Sequence, residues 1–234
     1  MPGLSSADSR LRTDDGSADS RAAAALAAYA AGTGSEHAAL TVLAGVRLLV
    51  PVVAAPAPES GQPGTGPAGM ASEMSIPTLV GQDGRPAVPA FTCLAAMTGW
   101  QPAARPVPVD AGRVWRSAVA DSRAVMLDVA GPVPVAIDGA RLAALAAGQP
   151  VPLPHEDPDV LAAVRQAAAG QSAISGIKLL PAAGGSDLTV ELAISPGHPG
   201  PAAELARSTA AAIMARLGSR LRRGIAVAVR PPPG

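Results

Sequence analysis

The chain has 234 residues, of which 48% are hydrophobic, and its 18 basic residues balance its 18 acidic residues, so that the formal net charge is zero. The length lies between one and two average domains, and the aliphatic content is ample for a folded core. A neutral chain with only 2% aromatic residues argues against a nucleic-acid partner, because such binding depends on many cations and on stacked aromatic rings.

The N-terminal part of the chain predicts a tail followed by two short helices. Residues 1–18 are small, polar and acidic, which is typical of a disordered tail. Ser20 is expected to cap an alanine-rich helix that runs through Ala31, and Ser35 is expected to cap a second helix from Glu36 to Ala44. A strand is expected from Val46 to Val53.

Residues 54–72 are rich in Pro, Gly and Ser and predict a flexible loop. This loop contains the pattern G-x-G-x-x-G from Gly64 to Gly69, which is also found in dinucleotide-binding loops. No helix is expected to begin at Gly69, and Pro67 removes an N–H that would face a phosphate. We therefore interpret the pattern as part of a linker and expect no cofactor.

The next segment carries several turn and cap patterns. Two apolar runs, Ile76 to Val80 and Pro86 to Ala90, flank Asp83-Gly84, which predicts a β-hairpin. Thr92 is the expected N-cap of a short helix from Cys93 to Thr98. The prolines that follow are expected to prevent regular structure over most of the next dozen residues. These prolines are Pro102, Pro106 and Pro108.

A helix from Ala111 to about Ala120 is expected to begin at Asp110 as its cap, with an apolar face that includes Trp115. Two strands, Val125 to Val129 and Val133 to Ile137, should follow it. A further helix ends at Gly148 and closes the first predicted domain, residues 19–148.

Residues 149–156 form a proline-rich linker in this interpretation, and residues 157–230 form a second domain. Its predicted order is α-β-β-α-β, with strict alternation of apolar residues between Leu188 and Ile194. The fold class is therefore α/β of the α+β type, with two small mixed units that each pack helices on a small sheet.

Part of the first domain resembles the N-terminal domain of the SseB family, bacterial proteins named for enhanced serine sensitivity, and the arginine- and alanine-rich composition suggests an actinobacterial type. The residues that carry the resemblance are Pro77, Gly81, Asp83-Gly84-Arg85, Pro89-Ala90-Phe91-Thr92, Trp100, Ala104-Arg105-Pro106, Val125-Met126-Leu127-Asp128 and Gly131-Pro132. The resemblance implies an α/β domain without an agreed enzymatic activity, so it supplies no catalytic residues.

Few residues combine into a reactive pattern. Cys93 sits in an apolar helix and is interpreted as a core residue, and Ser175 and Lys178 match S-x-x-K within a predicted strand, where they point to opposite faces. The three histidines lack the spacing of metal ligands, and no metal site is expected. These histidines are His37, His155 and His198.

Four residues are candidates for binding a ligand or a partner: Trp100, Arg105, Trp115 and Asp128. They could line a pocket between the hairpin and the helix that begins at Ala111. The competing interpretation is a core that covers the hairpin, with Arg105 extending its charge to solvent.

One cluster of cations lies near the C-terminus. It is interpreted as complementing a helix dipole, with an anion or partner-protein site as the alternative. Its members are Arg216, Arg220, Arg222, Arg223 and Arg230.

The sequence favours a non-catalytic binding or regulatory protein that acts through protein–protein contacts. The alternative is an enzyme or a sensor of a small ligand, an amino acid or an anion, that uses a pocket beside the 76–90 hairpin. The single cysteine and the lack of a basic N-terminal segment before an apolar run predict a cytoplasmic protein, and no membrane or nucleic-acid partner is expected. The sequence leaves the partner and the oligomeric state open.

Overall fold

The computed structural model describes residues 14–56, 72–196 and 200–230, which form two compact units. Unit 1 contains the described residues up to Ser20 together with Gly45–Asp138. Unit 2 contains Arg21–Ala44 and the described residues from Gly139 onward. Most of the predicted tail and of the predicted loop with its G-x-G-x-x-G pattern, and also His198, lie outside the described residues.

Unit 1 contains two helices and seven strands in the described part of the chain. The strands are β1 (Arg47–Pro56), β2 (Ser72–Ser75), β3 (Leu79–Val80), β4 (Pro86–Ala90), β5 (Arg105–Asp110), β6 (Ala124–Leu127) and β7 (Val135–Ile137). The helices are α3 (Leu94–Trp100) and α4 (Ala111–Ala120).

Two sheets with the strand orders β2-β1-β5 and β3-β4-β6-β7 make up unit 1. Their strands pair antiparallel except for β4 and β6, which are parallel. An antiparallel bridge between Leu49 and Phe91 connects the two sheets, and each residue donates its N–H to the carbonyl of the other. The bridge joins β1, the central strand of the first sheet, to the residue that follows β4 of the second sheet.

The predicted hairpin is present. Strands β3 and β4 pair with Leu79 opposite Ala87 and Val80 opposite Pro86. Gly84 at the turn has a φ of +78°, in the left-handed region that glycine adopts without a Cβ clash. The N–H of Gly81 donates to the carbonyl of Arg85 at 2.9 Å and closes the loop.

The prediction that prolines prevent regular structure after Trp100 is wrong, because Arg105–Asp110 forms strand β5 against β1. Leu49 uses its N–H and its carbonyl on Phe91, so β1 pairs with β5 through the alternate residues, including Val50. The hydrogen-bonding side of Pro106 and Pro108 therefore faces away from β1. A proline costs a strand little at such edge positions.

The prediction that Thr92 caps α3 is also wrong by one residue. Cys93 is the N-cap, and its Sγ accepts a hydrogen bond from the N–H of Ala96 at 3.5 Å. Thr92 instead donates both its N–H and its hydroxyl to the buried carboxylate of Asp128. A nearby acceptor of higher charge explains why the hydroxyl does not turn back onto the helix.

The two faces of β1 have different coverings. Leu49 belongs to a core cluster with Phe91 and Met97, and this cluster places α3 on one face of the strand. Val50 and Val52 alternate onto the opposite face, which is shared with Val114 of α4. Strand β1 therefore has one short helix on each of its faces.

Unit 2 contains five helices and three strands among the residues that the structure describes. The helices are α1 (Ser20–Ala30, whose first residue belongs to unit 1), α2 (Glu36–Leu43), α5 (Gly139–Ala147), α6 (Pro158–Ala168) and α7 (Ala202–Leu217). The strands are β8 (Ile174–Leu180), β9 (Leu188–Ile194) and β10 (Ile225–Arg230). The predicted α-β-β-α-β order is present in α6, β8, β9, α7 and β10.

The sheet of unit 2 has the strand order β10-β9-β8, with β9 in the centre. β9 buries every second residue, as the alternation in the sequence predicts. Its buried side chains pack with Val160 and Val164 of α6 and with Ile213 and Leu217 of α7. Together the two units confirm the predicted α+β class.

The units do not follow the order of the chain. The domain limits that the sequence predicts, 19–148 and 157–230, place α1, α2 and α5 with the first domain, whereas these helices make their contacts within unit 2. None of the seven described helices combines the length and the apolar composition that a membrane crossing requires.

Candidate functional site

A groove of about 250 Å³ lies on the surface of unit 1, between the hairpin segment and α4. We call it the valine groove. Its lining residues are Val50, Val52, Ile76, Val88, Val107, Val109, Arg113, Val114 and Ser117. Its position agrees with the pocket that the sequence places between the hairpin and the helix beginning at Ala111.

The register of β1 and β5 explains why valines gather in the groove. Val107 lies opposite Val50, and Val109 lies opposite Leu48. Residues that face each other across an antiparallel pair point to the same side of the sheet. Because side chains alternate along each strand, the whole row of β-branched residues falls on the side of α4.

Helix α4 covers this face only in part. It buries Val114, Trp115 and Ala118, which share one side of the helix as the sequence predicts. At the groove, Val107 remains 42% exposed and Ile76 remains 51% exposed. Because these two exposed side chains adjoin the partly buried valines, the groove is the apolar surface that we consider as a candidate site.

Two exposed arginines give the groove a positive border. Arg113 is a lining residue on α4, and Arg105 lies opposite Val52 and therefore on the same sheet face as Val107. In the described part of the chain neither guanidinium makes a hydrogen bond or an ion pair. The hydroxyl of Ser117 adds a polar group to the lining.

Of the four candidates from the sequence, Arg105 alone borders the groove. Trp100 lies on the other side of β1, where its ring is 5.5 Å from that of Phe91 at an angle of 32°. Trp115 is fully buried, and its Nε1 makes no hydrogen bond with the described residues. The structure therefore does not gather these residues into one site.

Asp128 has a positioning role at the end of β6. Its φ of +48° is a left-handed conformation that Asp tolerates better than most residues. One carboxylate oxygen accepts from the N–H of Thr92 at 2.8 Å, and the other accepts from its hydroxyl at 2.7 Å. Burial raises the pKa of Asp128, although both hydrogen bonds favour the ionised form. The contact connects β6 to the start of α3.

The candidate reactive groups do not form a catalytic arrangement within the described ranges. The Sγ of Cys93 accepts from a helix N–H, and Ser175 donates its hydroxyl to the carbonyl of Ala193 at 3.1 Å. Lys178 lies opposite Glu191 in the strand register. Among the described residues, no group of three His, Cys, Asp or Glu side chains could hold a metal ion.

A second hollow, of about 430 Å³, lies in unit 2 near the start of β8. Its volume is larger than that of the valine groove, but its lining is mostly polar or small and includes the exposed Arg165 and Ser172. Water can occupy such a surface without cost, whereas exposed valines gain free energy when they are covered. We therefore place the candidate site at the valine groove.

The arginine cluster near the C-terminus is used inside unit 2. Arg220 contacts Glu36 at 3.1 Å and Asp157 at 2.5 Å, and Arg141 contacts Glu36 at 2.5 Å. Glu36, Arg141 and Asp157 are each less than 10% exposed. Burial raises the pKa of Glu36, while the two arginines lower it. These four residues form a buried network of two cations and two carboxylates, the ionic network.

Other members of the cluster are also engaged. Arg223 pairs with the buried Asp187 at 2.8 Å, and the guanidinium of Arg222 lies 4.7 Å from the centre of the Tyr29 ring. Arg230 is 3.7 Å from Glu191. Arg216, in the last turn of α7, donates to the carbonyl of Ala212 at 3.3 Å, which agrees with the helix-dipole interpretation for this residue, whereas the other four cations contact side chains of unit 2.

The sequence contained a weak indication of the groove that our prediction missed. Valines alternate at positions 50 and 52 and again at 107 and 109, which indicates two strands with one apolar face. We did not recognise the pair at 107 and 109 because we expected the neighbouring prolines to exclude a strand. The register between the two strands is a long-range property that neither segment reveals alone.

A family model described as the SseB protein N-terminal domain matches residues 23–144, which is more than half of the 234 residues. The matched region includes the three strands that line the valine groove (β1, β4 and β5), Asp128 and two members of the ionic network, Glu36 and Arg141. No curated protein and no solved structure matches the chain.

Proposed function

The chain belongs to the SseB family, and from that premise we propose that it is a non-catalytic binding protein that holds an apolar segment of a protein partner in the valine groove. The observation that carries this proposal is the aliphatic lining of the groove, in which Val107 and Ile76 remain exposed side by side with partly buried valines. Covering apolar surface contributes about 25 cal/mol per Å², so a partner that fills the groove gains stability from it.

The size of the groove favours the side chains of a protein over a large cofactor. Its volume of about 250 Å³ lies below the roughly 300–1,000 Å³ of typical ligand pockets. A few aliphatic side chains from a peptide segment can fill such a space while the backbone of the segment stays outside. The proposal therefore requires no enclosed cavity.

The location of reactive groups also supports a non-catalytic role. Cys93 and Asp128 both make contacts that fix α3, on the side of β1 opposite the groove. The groove itself offers one hydroxyl and guanidinium groups, which can bind and orient but lack a neighbouring base to activate Ser117. We propose a cytoplasmic location as well, which the single cysteine supports.

Site-specific photo-crosslinking tests the binding proposal. A photoreactive amino acid replaces the exposed Ser117 in the full chain, and the protein is irradiated in a native bacterial lysate. We expect a discrete crosslinked product that disappears when Val107→Asp is added. The matched control is Val119→Asp, since Val119 is 44% exposed and does not line the groove. A product unchanged by Val107→Asp, or no product, contradicts the proposal.

A sensor of a small amino acid or anion is the second candidate, favoured by Arg113 and Ser117 in the lining. Such a ligand would place a carboxylate on the guanidinium and a short side chain among the valines. A thermal-shift screen over amino acids, including serine, and over nucleotides tests it, because a bound ligand raises the melting temperature by mass action. The absence of a shift with every compound rejects this candidate.

A further inference from the structure

We infer that the segment held by the valine groove is acidic as well as apolar, with a carboxylate at each end of a short apolar run. This inference rests on the proposed function and specifies the chemistry of the partner. It comes from the position and pairing of the arginines in unit 1.

Two of the six described arginines of unit 1 pair with carboxylates of the same unit. Arg47 forms an ion pair with Asp14 and donates to the carbonyl of Thr92 at 2.9 Å. Arg85 pairs with Asp83 at 2.6 Å and with Asp138 at 2.7 Å. These carboxylates already compensate the cations, so neither arginine is available to select a ligand.

The two arginines at the groove combine an unpaired charge with apolar surroundings. Within the ranges that the structure describes, Arg105, Arg113 and Arg116 are exposed and have no carboxylate partner, but of these Arg113 lines the groove and Arg105 lies on its sheet face. The nearest acid in the sequence, Asp110, caps α4 through the N–H of Gly112 at 2.9 Å. The border of the groove therefore carries positive charge that a bound partner can neutralise.

The positions of these arginines define the spacing of the complementary acids. Arg105 begins β5, whereas Arg113 lies in the first turn of α4, which starts directly after the end of β5. At about 3.3 Å per residue the ends of this strand are roughly 16 Å apart. Val107 and Val109 lie between them on the same face. An extended segment with five apolar residues between two acids matches this arrangement, because alternation along the segment places both carboxylates and two of the apolar side chains on one face.

Peptide binding to the full-length protein tests the inference. The probe is the fluorescein-labelled peptide Glu-Leu-Val-Leu-Val-Leu-Glu with blocked ends, in which both Glu side chains lie on one face of the extended chain. It is compared by fluorescence polarisation with matched peptides that carry Gln or Lys in place of both Glu residues. We expect the Glu peptide to bind about tenfold more tightly than the Gln peptide and the Lys peptide to bind most weakly. Added salt should reduce this difference, because the arginines are exposed.

Charge reversal identifies the responsible residues. In a variant with Arg105→Glu and Arg113→Glu, the order should invert so that the Lys peptide binds best. Arg207→Glu is the control, because Arg207 is exposed on α7 of unit 2. Circular dichroism melting shows whether each variant is folded. Equal binding of the Glu and Gln peptides, or a preference for Glu that persists in the double variant, overturns the inference.

The outcomes separate this inference from the proposed function. If Ser117 crosslinks to a protein in a Val107-dependent way but the peptides show no preference for Glu, the binding role stands and the acidic segment is wrong. If neither experiment shows binding, the binding role itself is wrong. If light scattering shows a dimer that Val107→Asp dissociates, the groove is occupied by a second copy of the chain, which also overturns the inference.

Discussion

The ionic network of unit 2 and the border of the valine groove in unit 1 use arginine in opposite ways. Arg141 and Arg220 are held by the carboxylates of Glu36 and Asp157 in a buried setting. At the groove, the exposed Arg105 and Arg113 have no such partner in the described chain. The same residue type is therefore paired in the interior of one unit and unpaired, within the described chain, at the surface of the other.

This difference teaches that a count of cations does not locate a binding site. The cluster of arginines near the C-terminus is the densest in the sequence, yet its members contact unit 2 itself. The groove has fewer arginines, but they stand next to exposed valines. A positive charge indicates a site when the fold leaves both the charge and the neighbouring apolar surface unsatisfied.

The largest effect on stability should come from breaking the ionic network. Glu36→Ala removes the carboxylate that contacts both Arg220 and Arg141, the latter only 3% exposed. Breaking a buried ion pair by removing one partner costs about 3–5 kcal/mol. Urea denaturation measures the free energy of unfolding, with Glu204→Ala on the exposed start of α7 as the control. A loss of unfolding free energy below about 1 kcal/mol would show that the ionic network contributes little to stability.

The next effect should come from Asp128. Asp128→Ala leaves the N–H and hydroxyl of Thr92 without their acceptors and places alanine at a φ of +48°. Together these costs amount to about 2–4 kcal/mol in the free energy of unfolding. Asp128→Gly is the informative comparison, because glycine removes the backbone cost and isolates the loss of the acceptor. Equal losses for Ala and Gly would contradict the conformational part of this explanation.

The pH dependence of Asp128 has a definite sign. Burial raises its pKa in the folded state above the ordinary value of 3.8. The folded state then binds the proton more tightly, so the contribution of Asp128 is fully present below the unfolded pKa and declines as pH rises through the folded pKa. Asparagine does not titrate, so the stability of Asp128→Asn should increase relative to that of the wild type as pH rises from about 4 to 7. A constant difference across this range would show that burial does not raise the pKa.

Arg85 should have the smallest of the stability effects that involve an ion pair. Its guanidinium pairs with Asp83 and Asp138, but the side chain is 65% exposed. Exposed pairs contribute about 0.2–1 kcal/mol. Chemical denaturation of Arg85→Ala should show a loss in this range that shrinks with added salt. A loss comparable to that of Glu36→Ala would remove the distinction between buried and exposed pairs.

Local patterns predicted much of the fold. Asp83-Gly84 placed the hairpin, Ser35 and Asp110 were correct as caps, and the alternation from Leu188 to Ile194 located the central strand of unit 2. Each depends on interactions within a few residues. Such patterns are readable because the partner groups lie in the same short segment.

Features that depend on distant partners were not predicted. The contact between Glu36 and Arg141 spans 105 residues, and it accompanies the placement of α2 and α5 in unit 2. Thr92 was predicted to cap a helix, but its hydroxyl donates to Asp128, which is 36 residues away in the sequence. The groove required the pairing of β1 with a strand that carries two prolines. Two features of the predicted site remain in the candidate site. These are its position beside the hairpin and the residue Arg105.

The most direct test of the contrast between paired and free arginines is Arg113→Glu, studied for both stability and binding. We predict a free energy of unfolding within about 0.5 kcal/mol of the wild type, because an exposed arginine without a partner contributes little to folding. We also predict that the crosslinked product at Ser117 is strongly reduced. An unfolding free energy reduced as in Glu36→Ala, or crosslinking equal to the wild type, would contradict the account.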